Sequence, residues 1–216
     1  MSFMTKIKAK YIIKLAKKVE QYDPYLSAEL NMLVAGATNR PHPRPTITLG
    51  SVLTAMKTVV QTLKDEGVDF ALAGGLAVKY WVDIRESLDI DFVLHTKDIE
   101  KIMKLFPNGQ DLPLMYSVRI DGTDIDFLKG DLFSWTDEAL KNAPEKSDLG
   151  VKMKIVPPEY LVLFKFRAGR ETDLKDIKGL ISLDGVAEKA RLLVNKFMPD
   201  ELDDIEQMIR ENEFGV

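Results

Sequence analysis

The chain has no cysteine and only two histidines, His42 and His95, in 216 residues. The first absence removes disulfides, thiolate zinc sites and thiol nucleophiles together. The second leaves little for histidine-rich metal sites or Ser-His-Asp schemes, so any metal would be held by oxygen ligands. No apolar run approaches the roughly 20 residues that a membrane-spanning helix needs. The only apolar run near the N-terminal lysines, Tyr11-Ile12-Ile13, is too short for a secretory signal, and a cytoplasmic protein is expected. Charge of one sign is not in great excess either. The net charge of −4 argues against a chain coated in basic residues, while leaving room for a local basic patch. What is present is ordinary for a globular protein: 45% hydrophobic and 30% charged residues. At this length folding buries roughly 70% of the unfolded surface, so no staple is needed.

Residues 1–37 read as two helices. Ile12, Leu15, Ala16 and Val19 form an apolar stripe, and Asp23-Pro24 caps and opens the second helix. Three prolines, Pro41, Pro43 and Pro45, then mark a linker that no helix can continue through. Beyond it, helices and strands alternate. Ser51 is expected to cap a helix that Gly67 stops. Strands are expected at 70–74, 88–94, 114–120 and 123–128, with a short one at 152–156. Helices are expected from Gly75 to Trp81 and from Asp98 to Phe106. Asp121-Gly122 is a two-residue hairpin signal. From Glu159 onward the pattern is helical, with breaks near Gly169, Asp184-Gly185 and Pro199. The expected organisation is an N-terminal helical extension and linker (1–45), an α/β core (46–156) and a C-terminal helical region (157–216), read as one domain with helical additions.

The segment Leu88-Asp89-Ile90-Asp91-Phe92-Val93-Leu94 carries the most chemistry. On a strand, Asp89 and Asp91 project to one side while Ile90 and Phe92 face the core. Two carboxylates so placed repel each other unless a cation or a hydrogen-bond network compensates them, and a hard divalent cation suits oxygen ligands. A second instance, Thr123-Asp124-Ile125-Asp126-Phe127-Leu128, follows the hairpin turn. If the two strands adjoin, Asp126 or Asp124 brings a third carboxylate to the same place. Such a trio around one or two magnesium ions is what in-line phosphoryl or nucleotidyl transfer requires. The plainer alternative is a pair of solvated strand faces on an interaction protein. Upstream, Gly74-Gly75 lies at a strand-to-helix junction, where backbone N–H groups can approach a phosphate or simply make a tight turn. Arg85 could pair with triphosphate oxygens or balance the carboxylates.

Taken in order, Gly74-Gly75, Arg85-Glu86-Ser87-Leu88-Asp89-Ile90-Asp91 and Asp126 resemble the nucleotidyltransferase superfamily related to DNA polymerase beta. The Arg-x-Ser-x-Asp-Ile-Asp form is most similar to the branch of AbiEii-type toxins and small uncharacterised nucleotidyltransferases. Lys165-Phe-Arg-Ala168-Gly-Arg170-Glu-Thr-Asp173-Leu-Lys-Asp176 is similar to that branch's downstream helical motif. The resemblance covers residues 50–182. It implies a small mixed sheet flanked by helices, and Mg²⁺-dependent transfer of a nucleoside monophosphate from an NTP to an acceptor hydroxyl. By the same resemblance Asp89, Asp91 and Asp126 would hold two Mg²⁺ ions, Asp126 also serving as candidate general base. Gly74 and Gly75 would contact the β- and γ-phosphates, and Lys165 the nucleotide. Arg85, Ser87 and Arg170 are grouped with the nucleotide-binding residues and Asp173 and Asp176 with supporting ones, a structural ion-pair network being the other reading of Arg85, Arg170, Asp173 and Asp176. Asp124 remains the rival third carboxylate.

The acceptor is left open between an RNA end such as tRNA, a protein and a small molecule. A catalytically silent nucleotide binder, or the regulatory half of a toxin–antitoxin pair, is the alternative. Six lysines in residues 1–20 offer a face for RNA phosphates or for the acidic tail after residue 200. His95, just past the acidic strand, is near enough in sequence to touch a nucleotide. Trp81 and Trp135 read as packing residues.

Overall fold

The structure, a computed structural model, describes residues 49–147 and 149–214. The two expected N-terminal helices, the proline-rich linker, His42 and the lysine-rich face lie outside the described residues. Helix α1 (Leu49–Asp65) buries Val52, Met56, Val59, Val60 and Leu63, the stripe that the 3.6-residue period puts on one face. It extends back past Ser51, which therefore lies inside the helix rather than capping it. Gly67 ends it as expected, its N–H bonding to Lys64 O while Val68 N–H reaches Leu63 O.

Strand β1 (Phe70–Ala73) runs straight into helix α2 (Gly74–Trp81). An eight-residue loop leads to β2 (Ile90–Leu94), then helix α3 (Ile99–Leu105) and a two-residue strand, β3 (Gln110–Asp111). The hairpin of β4 (Met115–Ile120) and β5 (Thr123–Lys129) follows. Its turn residues Asp121 and Gly122 both have positive φ, 49° and 80°, as a two-residue turn matched to strand twist requires. Helix α4 (Thr136–Asn142) and the short strands β6 (Glu145–Lys146) and β7 (Met153–Lys154) lead to four further helices: α5 (Pro158–Ala168), α6 (Glu171–Ile181), α7 (Val186–Phe197) and α8 (Leu202–Phe214). Gly169, Gly185 and Pro199 fall at the breaks between them.

The main sheet has the order β1-β2-β5-β4-β3, with β2 and β5 parallel and the other neighbours antiparallel. A bridge from Leu72 to Ile155 ties the second, two-stranded sheet to β1. Ile90, Phe92, Ile125 and Phe127 are fully buried, and the Phe92 and Phe127 rings stack 6.0 Å apart. One hydrophobic core continues from Val52 on α1 to Met208 on α8, so the C-terminal helices share the interior of the sheet layer. Trp81 and Trp135 pack as expected: Trp81 donates Nε1–H to Val156 O, and Trp135 lies against Phe133 and Phe164. Among the described residues no helix is long and apolar enough to cross a membrane.

Candidate active site

The parallel pairing of β2 with β5 sets Asp91 directly beside Asp126. Parallel neighbours lie about 4.8 Å apart, so two acidic side chains on one face are forced together unless the backbone yields. The other edge of β2 brings Ala73 beside Asp91, and the chain turns there into α2. At that turn Gly74 has φ +60°, and a Cβ built on it would lie 1.8 Å from Asp91 Oδ2. A side chain is thus excluded twice, by the left-handed backbone and by the carboxylate above it. A Cβ on Gly75 would lie 2.4 Å from Ser87 Oγ and 3.1 Å from Arg85 Nη2. The Gly74–Gly75 turn therefore touches Asp91, Ser87 and Arg85, with α2 opening its unpaired N–H groups at the same corner.

Asp89 departs from the expectation that it belongs to the strand. The ladder begins at Ile90, leaving Asp89 on the loop just before it. Its Oδ1 is buried and accepts no hydrogen bond. Burial above all, then the neighbouring Asp126 and to a lesser degree Asp89, push the Asp91 carboxyl up to about 6 against the opposing pull of Lys165 and Arg170. All five charges consequently act on one corner of the molecule. Among the described residues, no three His, Asp or Glu side chains close into a ready-made metal cage.

Asp124 is engaged elsewhere. It faces Arg119 across the β4–β5 hairpin and receives two bonds from it, Nε to Oδ1 at 2.8 Å and Nη2 to Oδ2 at 2.9 Å. The two candidate third carboxylates thus have different neighbours: Asp126 has Asp91 and Asp124 has a guanidinium.

The downstream motif forms a largely buried ion network. Lys165 Nζ lies 2.9 Å from Asp173 Oδ1 and 2.8 Å from Asp176 Oδ2, with all three residues shielded from solvent. Arg85 makes a two-pronged pair with Asp176, at 2.7 and 2.8 Å. Asp173 also accepts from the Arg170 backbone N–H at 3.1 Å, which closes the first turn of α6, and from the Arg170 guanidinium. The Asp173 and Asp176 carboxyls stay below the ordinary carboxylate range because these hydrogen bonds and charges outweigh the desolvation that opposes them. Three cations face two carboxylates, and the surplus positive charge leans on Asp91. The ammonium of Lys165, expected at the nucleotide, is held between two carboxylates. The Arg170 side chain remains largely exposed at the rim.

His95 sits at the far end of β2, four residues or about 13 Å of strand from Asp91, with Nδ1 3.4 Å from Asp131 and 3.5 Å from Asp137. Gly179 was overlooked in the sequence. It lies in the last turn of α6 against Ile84, and an isolated glycine inside a helix is itself a sign of close packing.

No protein-family profile matches the chain, and no curated protein matches it in sequence. Solved structures do. The antibiotic-resistance factor ANT(2'')-Ia, determined in solution, is 16% identical with a TM-score of 0.53, over 74% of this chain and 97% of that one. An antigenic nucleotidyltransferase-like protein from Paracoccidioides brasiliensis is 20% identical with a TM-score of 0.44, over 73% and 93%. The lincosamide antibiotic adenylyltransferase LnuA, solved with lincomycin bound, is 17% identical with a TM-score of 0.43, over 60% and 96%. The likeness to ANT(2'')-Ia defines the fold: a mixed α/β sheet of the nucleotidyltransferase kind. The AbiEii-type branch rests on the sequence motifs alone.

Proposed function

We propose that this chain is a nucleotidyltransferase that moves a nucleoside monophosphate from an NTP to an acceptor hydroxyl on an RNA end, a protein or a small molecule. The observation that carries this reading is the juxtaposition of Asp91 with Asp126 under the Gly74–Gly75 turn. Carboxylates packed this closely raise each other's proton affinity, and folded proteins retain such repulsion mainly where a function uses it.

The donor set suits magnesium: Asp89, Asp91 and Asp126 offer only hard oxygen atoms, and Asp89 Oδ1 is buried without a hydrogen-bond donor. These three residues would hold the ions, two by the family resemblance. Bound there, magnesium would neutralise the triphosphate and stabilise the leaving pyrophosphate. The chain's own groups do the rest. Backbone N–H groups at the start of α2 receive phosphate oxygens, and the exposed Arg170 guanidinium supplies a cation at the rim. Asp126 accepts the proton of the attacking hydroxyl.

A second reading, a nucleotide-binding protein without turnover, such as the regulatory partner of a toxin, is favoured by the pairing of buried Lys165 with both Asp173 and Asp176. Calorimetric titration with non-hydrolysable ATP, GTP, CTP and UTP analogues, with and without Mg²⁺, tests both. Binding that needs Mg²⁺ and disappears in the Asp89→Asn/Asp91→Asn double variant is expected. Absence of binding by every nucleotide overturns both readings. Incubation of the preferred α-labelled NTP with pooled RNA, with protein and with small hydroxylic acceptors in turn then separates them: label transfer supports the enzyme reading, and binding without transfer to any of the three supports the silent one.

A further inference from the structure

Helix α6 lies outside the sheet, yet it grips the loop that delivers Asp89. Asp176 takes the Arg85 guanidinium through two bonds. Three residues on, Gly179 lies beneath the same loop: a Cβ there would stand 2.9 Å from Ile84 Cδ1 and 3.3 Å from Val82 Cγ1. Further along the loop Gly75 leaves still less room, against Ser87 and Arg85. Residues 82–89 therefore pack closely on two glycines, one at the head of α2 and one inside α6. The loop's own backbone bonds, Val82 N–H to Val78 O and Ile84 N–H to Val82 O, are both at its beginning. Lys79 adds pairs to Asp83 and Glu86 on the exposed side.

Asp91 and Asp126 are placed by the ladder, but Asp89 precedes it and has no strand partner to set its position. A loop carboxylate is held only as well as its loop is held, and a misplacement of about 1 Å is enough to weaken a metal site or slow a reaction about a hundredfold. The Arg85–Asp176 pair is suited to the task. Asp176 is fully buried and also holds Lys165, so its carboxylate cannot swing.

We propose that Arg85, Asp176, Ile84 and Gly179 form a latch by which α6 positions Asp89 and Ser87 against the Gly74–Gly75 turn. Arg85 is then a positioning residue and not a phosphate ligand. What the positioned carboxylate does rests on the nucleotidyl-transfer reading; the latch itself does not.

The test uses the full chain and a size-compensation pair that touches no nucleotide. Gly179→Val crowds Val82 and the partly exposed Ile84, and Ile84→Ala in the same chain returns the space. In Gly179→Val, backbone hydrogen exchange across residues 82–89 should rise about tenfold or more while β2 and β5 keep their protection. Mg²⁺-dependent affinity for the tightest-binding NTP analogue should fall about tenfold, and the double variant should restore both readouts to within about twofold. If Gly179→Val exposes the whole sheet, the half-exposed Arg85→Gln replaces it, with the same local rise expected. Unchanged exchange at 82–89 in a folded variant overturns the latch, as does a loss of affinity that the compensating change fails to repair. If the wild-type chain binds no nucleotide, the functional reading fails, and the exchange measurement still decides the latch.

Discussion

Gly74 carries its α-carbon so close beneath the Asp91 carboxylate that no side chain fits between them, the nearest approach of a built Cβ being 1.8 Å to Oδ2. The residue is also left-handed, with φ +60°. Gly74→Ala therefore has to move either the turn or the carboxylate. A loss of about 1–3 kcal/mol is expected from strain and overpacking. Chemical denaturation would show it, and Mg²⁺-dependent nucleotide binding should fall in the same variant. An alanine variant as stable as wild type would show that the contact is relieved cheaply.

The Asp91 carboxyl holds its proton up to about pH 6 in the folded chain and releases it near 3.8 when unfolded. Between those values the folded state binds more protons, so stability contributed by this group is complete below about pH 4 and is lost as pH rises through 6. The two-unit difference corresponds to on the order of 2–3 kcal/mol. In chelator, Asp91→Asn should be more stable than wild type at pH 7 to 8 by that order, with the gap closing toward pH 4. Thermal melts across this range decide it, and equal stability at pH 8 would remove the repulsion argument.

Lys165 lies between two buried carboxylates. Lys165→Met leaves them facing each other without their shared cation, and breaking a buried pair in this way costs about 3–5 kcal/mol. Because Asp173 and Asp176 titrate below their ordinary range, the stability they contribute is present above about pH 4 and fades as pH falls below it. The Lys165→Met deficit should therefore shrink in acid. A deficit that is the same at pH 3 and pH 7 would point to lost packing instead.

The two candidate third carboxylates separate by mutation. Asp124→Asn weakens the Arg119 fork, which is partly exposed, and should cost about 1 kcal/mol without changing Mg²⁺-dependent nucleotide affinity. Asp126→Asn should abolish that affinity and leave stability unchanged or higher. The opposite outcome would move the site one strand step toward the hairpin turn.

Much of this architecture was legible in local patterns. Ile90 and Phe92 alternate with Asp91 because a strand has a period of two, and both are fully buried. Asp121-Gly122 announced its hairpin because few residue pairs accept two positive φ angles. Helix α4 escaped notice because its apolar residues, Ala139 and Leu140, are adjacent and make no i, i+3 pair such as Ile99 and Ile102 make in α3, and β3 and β6 because two residues display no pattern. The start of α1 was misplaced because Ser51 looks like a cap whether or not the preceding residues are helical.

The chain's composition and spacings were sufficient for the residue types at the site: oxygen ligands, a glycine turn, and cations at helical intervals. They could not say which carboxylate stands beside which. Asp91 and Asp126 become neighbours through a parallel pairing across 35 positions, a register that depends on how both strands bury Phe92 and Phe127 together. Asp176 finds Arg85, and Asp173 and Asp176 share Lys165, only because α5 and α6 pack against the corner where α2 begins. Backbone preference acts over a few residues, whereas charge pairing and close packing act between whichever surfaces the fold brings within a few ångströms.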